Sequence, residues 1–330
     1  MDDENRIRYI DMARGVAILF MLFTHTMSSN NLVKTWTFAW HMPIFFVISG
    51  ILYTMKKENK PFRKWGRSVI RLMIPYCIWG GVLIGWYALI GVISGDYSSM
   101  SSRLISLLTL RGVDSMWFIP CFLIGELLFI LLIYVSDKLC LISALVAVII
   151  IVILNDFSSL GWLQVLVRSV IAFTFFAFGY LLQKFCLLRN INWVIAFSLF
   201  LIGSILSVVN GFSALGDLSL NQPILYFLSA WLLSTAILAI CHLISEKGLK
   251  LKLLSVFGEN SIVILCTNNL LIEIIRLLDY KITGNVLIAW GIWGNMLFTI
   301  ILLILEYAII CFEKHFCPWT FGSIKRKTTV

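Results

Sequence analysis

Arg14 and His25 lie eleven residues apart in the first long apolar run of the chain, R-GVAILFMLFT-H. Eleven residues at 3.6 per turn make almost a whole number of turns, so in a helix both side chains share one face, about 16 Å apart along the axis. A guanidinium holds anions, phosphate among them, through charge-assisted hydrogen bonds. A neutral imidazole is poised near neutral pH to take up a proton or to act as a nucleophile. Inside a membrane helix both groups are expensive unless they face a polar cavity, so the pair points to chemistry rather than anchorage. Asp11, three residues before Arg14, is spaced to pair with it and lower the cost of burying either charge.

Further groups recur in later apolar runs. His41 opens the segment HMPIFFVISG, and Arg71 follows Arg67 by one helical turn just before Pro75. Two arginines so spaced suit a phosphate, and a basic cluster at that place is also what membrane orientation alone predicts. Glu126 and Arg168 both fall near mid-span and are expected to neutralise one another. Asn268, Asn269, Glu273 and Glu306 complete the polar residues within apolar stretches. Trp36, Trp40, Trp117, Trp162, Trp290 and Trp293 fall mostly at span boundaries, where an aromatic belt explains them most simply.

The elements that must position these residues are membrane helices. The chain is 60% apolar with 13% charged residues and a mean hydropathy of +0.94, whereas soluble domains carry about a quarter charged residues. Windows of about 20 residues give ten candidate helices: 10–27, 38–55, 68–93, 115–135, 139–154, 161–183, 191–209, 222–245, 255–278 and 285–312. The expected fold is therefore all-α, a polytopic membrane protein of about ten spans forming a single domain over 1–330, with a short tail from about 313. The first run is not expected to be a cleaved signal, since it carries Arg14 and His25 and no small-x-small site follows.

Orientation follows from the basic residues. With the N-terminus inside, eighteen Lys and Arg outside the spans are cytoplasmic and five (Lys34, Arg103, Arg111, Arg276, Lys281) lie outside. The excess belongs on the cytoplasmic side, which puts both termini there. The net charge of +9 thus reflects topology, and no nucleic-acid partner is expected. The eight cysteines form no C-x-x-C pair, and Cys77, Cys121, Cys186, Cys241 and Cys266 read as small core residues rather than disulfides or metal ligands. In this orientation Arg14 lies near the inner end of the first helix and His25 near the outer end. His41 starts the second helix at the same outer level.

Five segments, taken in order, resemble the membrane acyltransferase-3 family. RIRYIDMARGVAILFMLFTH (6–25) resembles its opening pattern of an acidic residue, R-G, and a His eleven after the Arg. WHMPIFFVISGILY (40–53) is similar to its M-P-x-F-F and S-G signature, and RSVIRLMIPY (67–76) to its basic third helix ending in proline. SMWFIPCFLIGE (115–126) carries a W-F-x-P step, and GENSIVILCTNNL (258–270) resembles a late helix in which Asn268 stands where histidine is often found. The resemblance implies acyl transfer, usually acetyl from acetyl-CoA, onto a sugar hydroxyl. The nearest likeness is to stand-alone, fucose 4-O-acetylase-like enzymes of bacterial polysaccharide modification.

That resemblance implies acyl-CoA as co-substrate, no permanently bound cofactor and no metal. The bilayer and a sugar or polysaccharide acceptor are the other partners, a homo-oligomer is compatible with it, and the compartment is the cell's inner or plasma membrane. A donor held at the inner face by Arg14, Arg67 or Arg71 would thread its pantetheine arm along the first helix. His25, with Asp11 and Arg14 in the catalytic set, would be general base on the hydroxyl or would carry the acyl group transiently. His41, Trp117, Glu126 and Asn268 form the expected acceptor set, with the Trp117 indole offering an apolar face to a sugar ring. The competing class is a secondary transporter of a small polar solute, but R-x10-H and M-P-x-F-F have no second copy in the later half, where inverted repeats would put one.

Overall fold

Each long apolar run is helical in the computed structural model, which describes residues 3–27, 30–55, 60–249, 251–284 and 291–317. The helices are α1 (Asp3–His25), α2 (Leu32–Phe38), α3 (Pro43–Met55), α4 (Pro61–Ser94), α5 (Ser98–Leu108), α6 (Phe118–Val135), α7 (Asp137–Leu154), α8 (Gln164–Lys184), α9 (Trp193–Asn210), α10 (Pro223–Glu246), α11 (Lys252–Glu259), α12 (Ser261–Thr283) and α13 (Gly291–Phe316). No strand forms among the described residues, so the chain is all-α as its composition requires. Among the described residues, nine stretches are long and apolar enough to cross a membrane. α1 is 23 residues long but stays outside that set because Arg8, Asp11 and Arg14 charge it too heavily. Lys56, Lys57, Lys250, Trp290 and the basic run 325–327, all used in the orientation or belt arguments, lie outside the described residues. So does 318–330, most of the expected tail.

The differences from the expected spans have local causes. The second span is two helices, α2 and α3. Asn31 caps α2, its side chain accepting from the Lys34 amide at 2.9 Å, and Pro43 opens α3, where a missing N–H costs nothing. The loop 94–114 holds α5, and a 3-10 turn over Asp114–Trp117 leads into α6. The ninth span breaks between α11 and α12 at Asn260, whose amide turns back to the Val256 carbonyl at 2.6 Å.

Contacts divide the chain into two compact units: Met1–Pro61 with Ile124–Ser261, and Phe62–Leu123 with Ile262–Val330. In the first unit, glycines let backbones touch. A Cβ on Gly50 of α3 would strike the Phe176 carbonyl of α8, and one on Gly179 of α8 would strike the Val47 carbonyl of α3. In lipid the hydrophobic effect does not drive helices together, so such close approach is a main source of cohesion. In the second unit, indole and phenol groups tie helices instead. Tyr76 of α4 donates to the Leu107 carbonyl of α5 at 2.9 Å, and Trp79 Nε1 of α4 donates to Glu313 Oε1 of α13 at 3.0 Å.

Two burial expectations are corrected. Cys77 and Cys186 are exposed rather than core: Cys77 lies on an outward helix side of α4, which is as apolar as a buried one, and Cys186 lies in the turn that follows α8, beyond the apolar run. Trp40 is fully buried against Phe20 and Trp36 at ring separations of 5.8 and 5.2 Å, so it belongs to the core rather than to a boundary belt.

Candidate functional site

The first unit holds the α1 pair. Arg14 Nη1 donates to Asp11 Oδ1 at 3.3 Å, the i, i+3 pairing expected from the sequence, with side-chain exposures of 25% and 12%. The pair sits where α1 crosses α11. A Cβ on Gly15 would strike the Leu254 carbonyl, and one on Gly258 would strike the Asp11 carbonyl. Two of the family-like segments, R-G at 14–15 and G-E-N at 258–260, thus meet in space. Their glycines let the backbones touch beside the ion pair.

At the C-terminal end of α1, eleven residues on from Arg14 at the middle of the helix, three rings form a layer. Phe38, the last residue of α2, stacks on His25 at 5.9 Å and 28° and tilts against His41 at 5.0 Å. His25 is half-buried and His41 buried. His41 Nδ1 lies 2.9 Å from the Thr37 carbonyl. A carbonyl only accepts, so Nδ1 carries the proton and neutral His41 presents the lone pair on Nε2. Lys34 Nζ lies 5.7 Å from the Phe38 ring centre and 6.0 Å from that of Phe212, within cation–π range. In the sequence reading Lys34 served only the orientation argument, and Phe38 carried no role. Their spacing around His41, at i−7 and i−3 on successive turns of a short helix, was the available signal.

Glu126 and Arg168 are both buried. α6 and α8 meet at Gly125, where a Cβ would press on Ala172 and on the Ser169 carbonyl, one residue along from each charged group. Arg168 Nη2 also donates to Gln164 Oε1 at 3.4 Å, one turn back on its own helix.

The second unit holds the remaining sequence candidates. Arg67 and Arg71 are exposed on α4. Trp117 ends the 3-10 turn, packed edge-on to Phe118 at 6.3 Å. Gly112 reaches a φ of 81° beneath it, where a side chain would collide with the Trp117 backbone. Asn268 is fully buried. Its amide donates to the Ile264 and Leu265 carbonyls at 2.8 and 2.9 Å, and its oxygen lies 3.4 Å from the Ser115 hydroxyl. Both its N–H bonds are therefore spent on its own helix, and it is Asn269 that donates to Ser115, at 2.9 Å. One turn on, Glu273 accepts from Trp86 Nε1 at 3.2 Å and from the Tyr87 hydroxyl. The Arg103 guanidinium lies 3.7 Å above the Tyr87 ring, with its Nε 3.7 Å from Asp114. This network was not legible in the sequence, because its members come from three separated segments.

The acyltransferase-3 family model, described as an acyltransferase domain, matches residues 7–312. No curated protein and no solved structure matches. The match takes in the α1 pair, the ring layer, the glycine crossings and all but the last turn of α13. This multi-pass membrane protein belongs to the acyltransferase-3 family, whose activity is the transfer of an acyl group.

Proposed function

We propose that the protein moves an acyl group, acetyl in the usual case, from cytoplasmic acyl-CoA to a hydroxyl of an exported or cell-surface glycan. The host membrane is read as the inner or plasma membrane of a bacterium, with both chain termini cytoplasmic. The observation that carries this reading is α1 itself, with a paired, partly accessible guanidinium at its middle, not near its start as expected, and an imidazole at its C-terminal end. Acyl-CoA is made in the cytoplasm, and a helix spacing of about 16 Å suits an extended pantetheine arm. Arg14 would meet a donor phosphate, with Asp11 holding the guanidinium in place. Arg67 and Arg71 offer the same chemistry from α4.

The chemistry balances in either of two ways. With His25 as base, its imidazole takes the hydroxyl proton, the oxygen attacks the thioester carbon, the C–S bond breaks and the CoA thiolate leaves to regain a proton. With His25 as carrier, its nitrogen displaces CoA to give an acyl-imidazole, which the hydroxyl then attacks, with a base taking the hydroxyl proton. In the second route His41, with Nδ1–H held by Thr37, has its Nε2 lone pair available as that base. Trp117, Glu126 and Asn268 are retained as acceptor-side candidates, each to be tested singly.

The test is direct. Purified protein in lipid nanodiscs should melt at a higher temperature with acetyl-CoA than without, as a ligand that binds only the folded state must cause. Cells carrying the wild-type protein, and not His25→Ala, should show O-acetylated surface glycan by mass spectrometry. No thermal response together with full glycan modification by His25→Ala would sink the proposal.

A further inference from the structure

Glu306 lies in α13 with no exposed surface at all. Its Oε2 is 2.7 Å from the hydroxyl of Thr267 on α12, and its Oε1 has no hydrogen-bond partner among the described residues. No Lys, Arg or His there pairs with it. The same Thr267 hydroxyl lies 2.9 Å from the Val263 carbonyl. A hydroxyl has one proton to give, and a carbonyl only accepts. If Thr267 donates to Val263, the contact to Glu306 is a hydrogen bond only when Glu306 supplies the proton. If Thr267 donates to Glu306 instead, an ionised carboxylate is left fully buried with one hydrogen bond and no countercharge. That costs far more than protonation does.

The other ionisable groups nearby add no positive charge. Cys266 adjoins Thr267, and Glu313 lies seven residues further along the same buried stripe of α13, accepting from Trp79 of α4. The same stripe carries Asn295, buried with its carbonyl oxygen unpartnered among the described residues, and Thr299. Polar groups thus recur along one buried face of a helix otherwise apolar enough to cross the membrane.

We propose that Glu306 is a proton-holding site: a neutral carboxylic acid that gives up and regains its proton during turnover. The role in turnover rests on the transmembrane acyl-transfer reading. There the hydroxyl loses a proton on the outer side and the CoA thiolate gains one on the inner side, so a proton must move inward as the acyl group moves outward. Glu306 meets that need with a group that rests as a neutral acid and is a buried carboxylate only in the passing step between giving up one proton and taking the next.

Two measurements test it, and they fail separately. Infrared spectra of the wild type and Glu306→Gln in nanodiscs should differ by the C=O stretch of a protonated carboxyl, absent from a carboxylate; no such difference overturns the proposal. Glu306→Gln keeps the shape and neutrality of the acid, so it should fold and bind acetyl-CoA as the wild type does. Its release of CoA thiol in the presence of glycan should slow by on the order of a hundredfold, the usual scale for a lost proton-transfer group. Glu306→Asp should recover part of that rate. Wild-type turnover by the Gln variant would show a purely structural acid and overturn the role in turnover. If the wild type itself releases no thiol and binds no acetyl-CoA, it is the acyl-CoA reading that fails, and the infrared band still decides the state of Glu306.

Discussion

α1 and α13 both carry acidic groups into stretches of membrane length, and they handle the cost in opposite ways. In α1 the charge is kept: Asp11 and Arg14 pair at 3.3 Å, and both side chains retain some exposure. In α13 the carboxyl of Glu306 is sealed off completely, with one hydroxyl contact and no cation among the described residues. An ion pair with access to water stays ionised and can meet a charged ligand. A solitary buried carboxyl is tolerable only without its charge. The comparison separates a helix whose charges are paired and partly exposed from one whose carboxyl is buried with no countercharge among the described residues.

The largest effect that would break this contrast lies in α1. His25→Ala should abolish glycan O-acetylation, a loss of at least the 10²–10⁴-fold expected for a general base, while the protein accumulates in the membrane at the wild-type level. Activity near wild type, measured by glycan mass spectrometry against an immunoblot of the membrane fraction, would leave α1 with no chemistry and reduce Arg14 to a topological charge.

The next effect concerns which charges matter to the donor. Arg14→Ala and Arg71→Ala should each weaken acetyl-CoA binding by roughly 1.5–3 kcal/mol in calorimetry, the scale of one hydrogen bond to a charged group. Arg111→Ala, in the loop between α5 and the 3-10 turn, should not change it. A loss in Arg14→Ala alone would leave Arg71 as an orientation signal.

Stability offers a sharper version of the same contrast. Asp11→Asn leaves Arg14 without its carboxylate and should lower stability by about 1–3 kcal/mol, whereas Glu306→Gln replaces one neutral group by another and should change the melting temperature little. Gly258→Ala should cost a similar 1–3 kcal/mol, since its Cβ meets the Asp11 carbonyl and overpacked sites give way only at that scale. Gly81→Ala, with nothing within 4 Å of its added Cβ, should be neutral or stabilising.

How much of this the sequence carried follows from what each feature depends on. Apolar runs of span length, the alignment of Arg14 with His25 and the Asp11–Arg14 pairing depend on one helix alone, so periodicity reveals them. In the sequence the second span reads as one helix over 38–55 although Pro43 signals its split, and the break at Asn260 had only an amide for a signal. The ring layer of His25, Phe38 and His41 depends on how α2 returns against α1, which no local pattern encodes. The glycine crossings at Gly15 and Gly258 depend on residues more than two hundred positions apart. Glu306 was visible as a polar residue in an apolar run, but that Thr267 is its one hydrogen-bond partner among the described residues appears only once α12 and α13 are packed. Cys77 and Trp40 show the converse limit, because a side chain facing lipid and one facing core look alike in composition.

The smallest effect distinguishes an acceptor contact from an interface anchor at Trp117. The indole is half-buried at the end of the 3-10 turn, held over Gly112 and edge-on to Phe118. Trp117→Phe keeps an aromatic at that depth and removes only the indole N–H and some ring area. An anchor should tolerate the change with unaltered turnover. An acceptor contact should lose one neutral hydrogen bond, about 0.5–1.5 kcal/mol, read as a higher KM for glycan with an unchanged affinity for acetyl-CoA. His41→Ala should show the same unchanged donor affinity with a larger fall in turnover, because it removes the Nε2 lone pair that Thr37 orients. If either change weakened donor binding instead, Trp117 or His41 would belong with Arg14 as a donor contact, and the acceptor would have to be sought elsewhere in the chain.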